Sequence, residues 1–95
     1  AAADGVCSTF PTGAAIHTCS CGPGPYTGSV WGNGPYTSDS DLCTAARHSG
    51  VIGDGGGMIT VLGMTGLDVY SGTSFNGIST LDWGSYSESI MFDRN

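Results

Sequence analysis

A chain of 95 residues and 9.6 kDa allows one small domain and leaves no room for a second. Eight acidic side chains against two Arg and no Lys give a formal charge of −6, which excludes the basic footing that nucleic-acid and anionic-membrane binding require. No stretch approaches the roughly 18 consecutive apolar residues of a membrane span. Seventeen Gly and four Pro punctuate the chain, while four Cys and a charged fraction of only 11% speak for a folded, loop-rich domain with a thin core rather than disorder. With neither an initiator Met nor a leader segment, the chain reads as a single domain, 1–95, excised from a larger protein.

Residues 1–25 carry Cys7, Cys19 and Cys21, a Phe10-Pro11 step and the run Cys21-Gly22-Pro23-Gly24-Pro25, and are predicted to be irregular, covalently pinned loops. A core this small leans on cross-links. Four Cys in a short chain point to disulfides and an oxidising compartment. Cys19 and Cys21 are too close to bridge each other without strain. That leaves Cys7–Cys19 with Cys21–Cys43, or Cys7–Cys21 with Cys19–Cys43. One C-x-C and two single Cys match poorly the paired spacing of a structural zinc site.

Residues 26–31 have the spacing of a short strand, closed by Gly32-Asn33-Gly34-Pro35. A helix is predicted over about residues 39–49. Ser38 is its N-cap and Asp41 an approximate capping-box partner. Asp39 and Asp41 lie near the positive end of its dipole, Arg47 and His48 near the negative end. Gly50 stands where a left-handed residue ends a helix. Leu42, Ala45, Ala46 and Ser49 form a stripe of small residues, as expected of a helix surrounded by sheet.

Beyond Gly53 the hydrophobic period changes to two. Residues 58–62 read as a buried strand, residues 67–70 as a shorter one, and Asn76-Gly77 as a hairpin turn. Residues 88–92 close the domain with Ile90 and Phe92 on one face. The order of elements is α+β.

The stretch from Tyr36 through Cys43 to Ile52 resembles the signature of the LCCL domain family, matching at Cys43, Ala45, Ala46, His48, Gly50, Val51 and Ile52. The resemblance runs on through Gly56-Gly57, Tyr70-Ser71, Asn76-Gly77-Ile78, Trp83 and Phe92, and covers most of residues 19–93. It implies a secreted or cell-surface module, a central helix wrapped by two small, mostly antiparallel sheets, and the pairing Cys7–Cys19 with Cys21–Cys43.

His48, with Ser49 and Asp54 near it in sequence, invites a catalytic reading, a small hydrolase working with a serine, although no particular serine stands out as the nucleophile. No nucleophile elbow or triad context accompanies it, and a structural His at a helix C-terminus is the simpler reading. Asp39, Asp41 and Asp54, with Asp68 and Asp82, could offer calcium its oxygen ligands, although helix capping and solvated turns account for most of them. Gly53 to Gly57 lacks the Lys-Ser/Thr of a phosphate-binding loop. Trp31, Tyr36, Trp83 and Tyr86 could form an aromatic platform for a sugar or lipid. The expected function is therefore a non-catalytic binding or adhesion module with no obligatory cofactor, monomeric as an isolated domain. Its expected partner is a glycan, lipopolysaccharide or other lipid-linked sugar; the alternative is a calcium-stiffened spacer between neighbouring protein domains.

Overall fold

The computed structural model describes residue 10, residues 15–33 and residues 35–93. The elements are β1 (Ile16–Cys21), β2 (Tyr36–Thr37), α1 (Leu42–Ser49), β3 (Gly57–Thr65), β4 (Ser74–Phe75), β5 (Ile78–Ser79) and β6 (Glu88–Phe92). Antiparallel pairing joins four of them into one sheet in the order β1-β3-β6-β2, and β4 with β5 forms a separate hairpin. The expected α+β architecture, one short helix with two antiparallel sheets and a Cys21–Cys43 disulfide, is borne out.

Alternation sorts the sheet into two faces. Cys19 and Cys21, Ile59 and Val61, Ile90 and Phe92, and Tyr36 all turn inward and join Leu42, Ala45 and Ala46 of α1 in one core cluster. The opposite face is uncharged and partly bare. Leu62 lies between Ile16 and Met91 across three strands, and these three, with Met58 and Met64, are exposed.

Three local expectations need correction. Residues 16–21 are not irregular: they form β1, because His17, Cys19 and Cys21 occupy the inward positions and the two cysteines serve as core side chains. Residues 26–31 are extended but make no strand. Gly28 bonds Thr44 Oγ1 and Ser29 accepts from the Asp41 N–H, so among the described residues the only sheet-like pairing is a single parallel bridge between Trp31 and Leu81. Residues 67–70 contribute only a single bridge, Tyr70 to Trp83, since the Leu67 N–H donates to the Tyr70 hydroxyl at 2.9 Å.

The helix also begins later than predicted. The Ser38 N–H continues the sheet by donating to the Glu88 carbonyl at 3.0 Å. Ser40, fully buried, bonds Thr37 Oγ1 and accepts from the Trp31 N–H. Residues 38–40 are thus a turn tied to β2, and Asp41 is the N-cap, its Oδ2 accepting from the Thr44 N–H at 3.0 Å. The C-terminus behaves as predicted. Gly50 sits at φ 89° and its N–H donates to the Ala46 and Arg47 carbonyls, with the Val51 N–H also reaching Ala46.

The disulfide Cys21–Cys43 ties β1 to α1 across a Cα–Cα distance of 5.6 Å. Cys19 is disulfide-bonded too; the Cys7–Cys19 pairing lies outside the described residues.

Candidate functional site

The last turn of α1 delivers His48 to the β4–β5 hairpin. Asn76 and Gly77, at φ 55° and 80°, make the tight turn expected of Asn-Gly, and that turn is pinned back onto the helix: Asn76 Nδ2 donates to the His48 carbonyl at 3.0 Å. Phe75, one residue earlier, sets its ring edge-on to the imidazole with centroids 5.5 Å apart. Tyr36 of β2 approaches from the sheet at 5.6 Å and near-perpendicular.

Both imidazole nitrogens are engaged. The Tyr36 hydroxyl lies 2.9 Å from Nδ1, and Thr73 Oγ1 lies 3.0 Å from Nε2. Thr73 Oγ1 donates its hydrogen to Asn33 Oδ1 at 2.8 Å, so towards His48 it can only accept. The chain of donors then runs from Tyr36 O–H to Nδ1, from Nε2–H to Thr73, and from Thr73 to Asn33, with the imidazole neutral. Burial pushes the His48 pKa below its ordinary value by penalising the charged form, against an opposing hydrogen bond with the Thr73 backbone.

Around this network opens a cleft of about 430 Å³. Asn33, Asn76, Ser49 and His48 give it polar walls, and Phe75, Met91 and Phe92 give it apolar ones. Among the described residues no charged side chain lines it. Phe75 stands 54% exposed at its rim.

The residues singled out from sequence fall into separate places. Trp31 and Trp83 meet edge-to-face at 5.9 Å, with Trp83 47% exposed. Tyr36 does not join them: it is 2% exposed and packs on His48 and Phe92. Tyr86 is half-buried, and no ring contact links it to the other three among the described residues. The four aromatics are therefore an indole pair, one tyrosine committed to the core and one half-buried tyrosine.

Asp39, Asp41 and Asp54 are not brought together either. Asp41 caps α1, also accepting from Thr44 Oγ1 at 2.6 Å, and Asp54 pairs with Arg47 at 2.9 Å. Among the described residues no three His, Cys, Asp or Glu side chains gather as a metal site. Asp82 accepts from the Gly72 N–H at 2.7 Å, which is turn chemistry. Ala45, Ala46 and Ile52 are core, Gly50 and Val51 form the cap, and Ser49 donates back to the Ala46 carbonyl at 2.8 Å.

Sequence reasoning overlooked Asn33, Thr73 and Phe75 as site residues, and read Asn76 only as a turn. The one available signal was that both asparagines precede a glycine, marking two turns able to converge.

Among the described residues no helix is long and apolar enough to cross a membrane. The sequence model of the LCCL domain matches residues 2–90. Cochlin of Mus musculus is 43% identical over 66 residues, 70% of this chain and 12% of cochlin. Vitrin of Mus musculus is 40% identical over 62 residues, 65% of this chain and 10% of vitrin. Clotting factor C of Tachypleus tridentatus is 33% identical over 78 residues, 82% of this chain and 8% of that protein. The chain spans about a tenth of the length of these relatives. The resemblance carried by Cys43, Ala45, Ala46, His48, Gly50, Val51 and Ile52 is thereby borne out, and the chain belongs to the LCCL domain family.

Proposed function

We propose that this chain is a non-catalytic binding module, one domain of a larger secreted or cell-surface protein, and that it recognises a glycan or lipid-linked sugar. The observation that carries the reading is the cleft beside His48, where an exposed ring and two side-chain amides stand together and no charged side chain lies among the described lining residues. Sugars present apolar C–H faces and neutral hydroxyls, and such a mixture suits them. A chain of formal charge −6 disfavours anionic partners reached through charge alone. The extracellular placement is supported by the Cys21–Cys43 disulfide, since such bonds persist in oxidising compartments.

The non-catalytic part of the reading rests on His48 itself. Its two nitrogens face Tyr36 and Thr73 rather than a nucleophile and an orienting carboxylate. The hydroxyl of the adjacent Ser49 is turned to the Ala46 carbonyl.

A panel of glycans and lipopolysaccharide titrated into the protein, followed by amide shifts and Trp fluorescence, tests the binding reading. Saturable shifts at Phe75 and Asn76 are expected, and a flat response across the panel overturns it. Ester turnover lost in His48→Ala would overturn the non-catalytic part.

A second reading, a spacer packed against neighbouring domains, is favoured by the bare Ile16–Leu62–Met91 row. A longer protein that includes the flanking domains should then protect Leu62 and Met91 amides beyond what the isolated chain shows.

A further inference from the structure

We propose that the cleft beside His48 is a recognition site for an acetamido group, the N-acetyl substituent of an amino sugar, held by Asn33, Phe75 and Asn76. The inference rests on the glycan-binding reading and narrows it to one substituent.

An acetamido group presents one carbonyl acceptor, one N–H donor and one methyl. The cleft carries a complement to each. The Thr73 hydroxyl donates to Asn33 Oδ1 at 2.8 Å, which orients that amide and leaves Nδ2 as the end able to donate. Asn76 is held in the opposite sense: Nδ2 donates to the His48 carbonyl at 3.0 Å, leaving Oδ1 as the end able to accept. Among the described residues neither of those remaining atoms has a hydrogen-bond partner. Phe75, 54% exposed and braced edge-on by the His48 ring, offers its surface to the methyl and to the sugar's C–H face.

The same framework selects against other ligands. A hydroxyl in place of the acetamido group joins donor and acceptor on one atom but carries no methyl, so it leaves the apolar surface of Phe75 uncovered. A carboxylate or phosphate would meet no cation among the described residues of the lining. His48 supplies none, because Tyr36 donates to Nδ1 and the proton sits on Nε2 towards Thr73. The Thr73 hydroxyl and the His48 carbonyl position the site: the first sets the Asn33 amide and the second sets Asn76.

The test compares chitotriose, the N-acetylglucosamine trimer, with cellotriose, its glucose counterpart, by amide shifts of isotope-labelled protein. Chitotriose is expected to move Phe75, Asn76 and Gly77 and to bind at least about tenfold more tightly than cellotriose. Phe75→Ala and, separately, Asn33→Ala should each weaken chitotriose by about tenfold while the spectrum outside the cleft stays unchanged. Equal response to the two sugars would overturn the acetamido assignment and leave the glycan reading standing. Chitotriose shifts confined to Trp31 and Trp83, or undiminished in both variants, would overturn the site. Silence towards chitotriose while another glycan in the panel binds would end this inference alone; silence towards every glycan would end both readings.

Discussion

The two sides of α1 are held by different chemistry. On the sheet side, Leu42, Ala45 and Ala46 share a core with Ile59, Val61 and Ile90, all nearly or wholly inaccessible, and a disulfide crosses from β1. On the hairpin side, residues 73–79 bury no large apolar side chain. That side is held by polar contacts: the Thr73 N–H to Thr80 Oγ1 at 2.8 Å, Thr80 Oγ1 to the Gly32 carbonyl at 2.6 Å, Asn76 to the helix end, and His48 to Thr73. Apolar burial scales with area and is indifferent to direction, whereas hydrogen bonds fix orientation and add little net stability. One side is therefore a frame, and the other a rim whose side chains are aimed. The cleft lies at their junction.

The sharpest way to break this division is to remove mass from each side. Ile90 is fully inaccessible, and Ile90→Ala should cost about 2–5 kcal/mol by denaturant unfolding. Phe75→Ala, on the rim, should change stability by no more than about 0.5 kcal/mol while removing the exposed ring from the cleft's apolar wall. Comparable losses from both would show that the hairpin belongs to the cooperative core. The disulfide comes next. Cys21 and Cys43 are 22 residues apart in sequence, and the double change Cys21→Ala with Cys43→Ala should remove about 3 kcal/mol through loop-closure entropy, read as a lower urea midpoint.

Much of the frame was legible in the residues alone, and most of the rim was not. The apolar alternation of residues 58–62 and 88–92 announces two strands, and Gly50 announces the helix end, because each signal is local. β1 was hidden since its inward positions are His17, Cys19 and Cys21, which read as a cross-linked loop rather than an alternating strand. The helix start was displaced because Ser38 and Ser40 spend their hydrogen bonds on β2, β6 and Trp31, partners that no helix rule sees. The site suffers most from this blindness. His48 stands 25 residues from Thr73, and Thr73 stands 40 from Asn33, so only folding assembles the relay. Tyr36 looked like a candidate for an exposed platform, yet its register opposite Ile90 turns the ring inward to His48.

A smaller effect separates the two sides by pH. Burial lowers the His48 pKa below its unfolded value, so the folded state prefers the neutral ring. Its contribution is complete above the unfolded pKa of about 6.5 and is lost as pH falls through the folded value, where protonation favours the unfolded chain. The melting temperature should accordingly decline as pH drops below about 6.5, with His48 followed separately from His17 by proton NMR. Tyr36→Phe removes the donor to Nδ1. It should cost about 1–3 kcal/mol at neutral pH and move the His48 titration upward, flattening that decline. An unchanged titration in Tyr36→Phe would mean that the hydroxyl does not hold the ring neutral.

A loss smaller than that of core mass or the disulfide lies at the opposite end of α1, where the frame itself depends on a polar contact. Asp41 Oδ2 accepts from both the N–H and the hydroxyl of Thr44, and Thr44 Oγ1 in turn accepts from the Gly28 N–H at 3.1 Å. Asp41→Ala should cost about 1–2 kcal/mol. Asp41→Asn retains an acceptor oxygen for the same N–H and should recover most of that, losing only about 0.3–1 kcal/mol of charge–dipole attraction. The pair of variants also decides what the carboxylate is for. If it serves the helix, chelating divalent cations leaves the wild-type melting temperature unchanged, because a ligand bound only by the folded state must raise stability when present. A fall on chelation that disappears in Asp41→Asn would instead assign the carboxylate to a metal, and the helix would then owe its start to an ion rather than to its own cap.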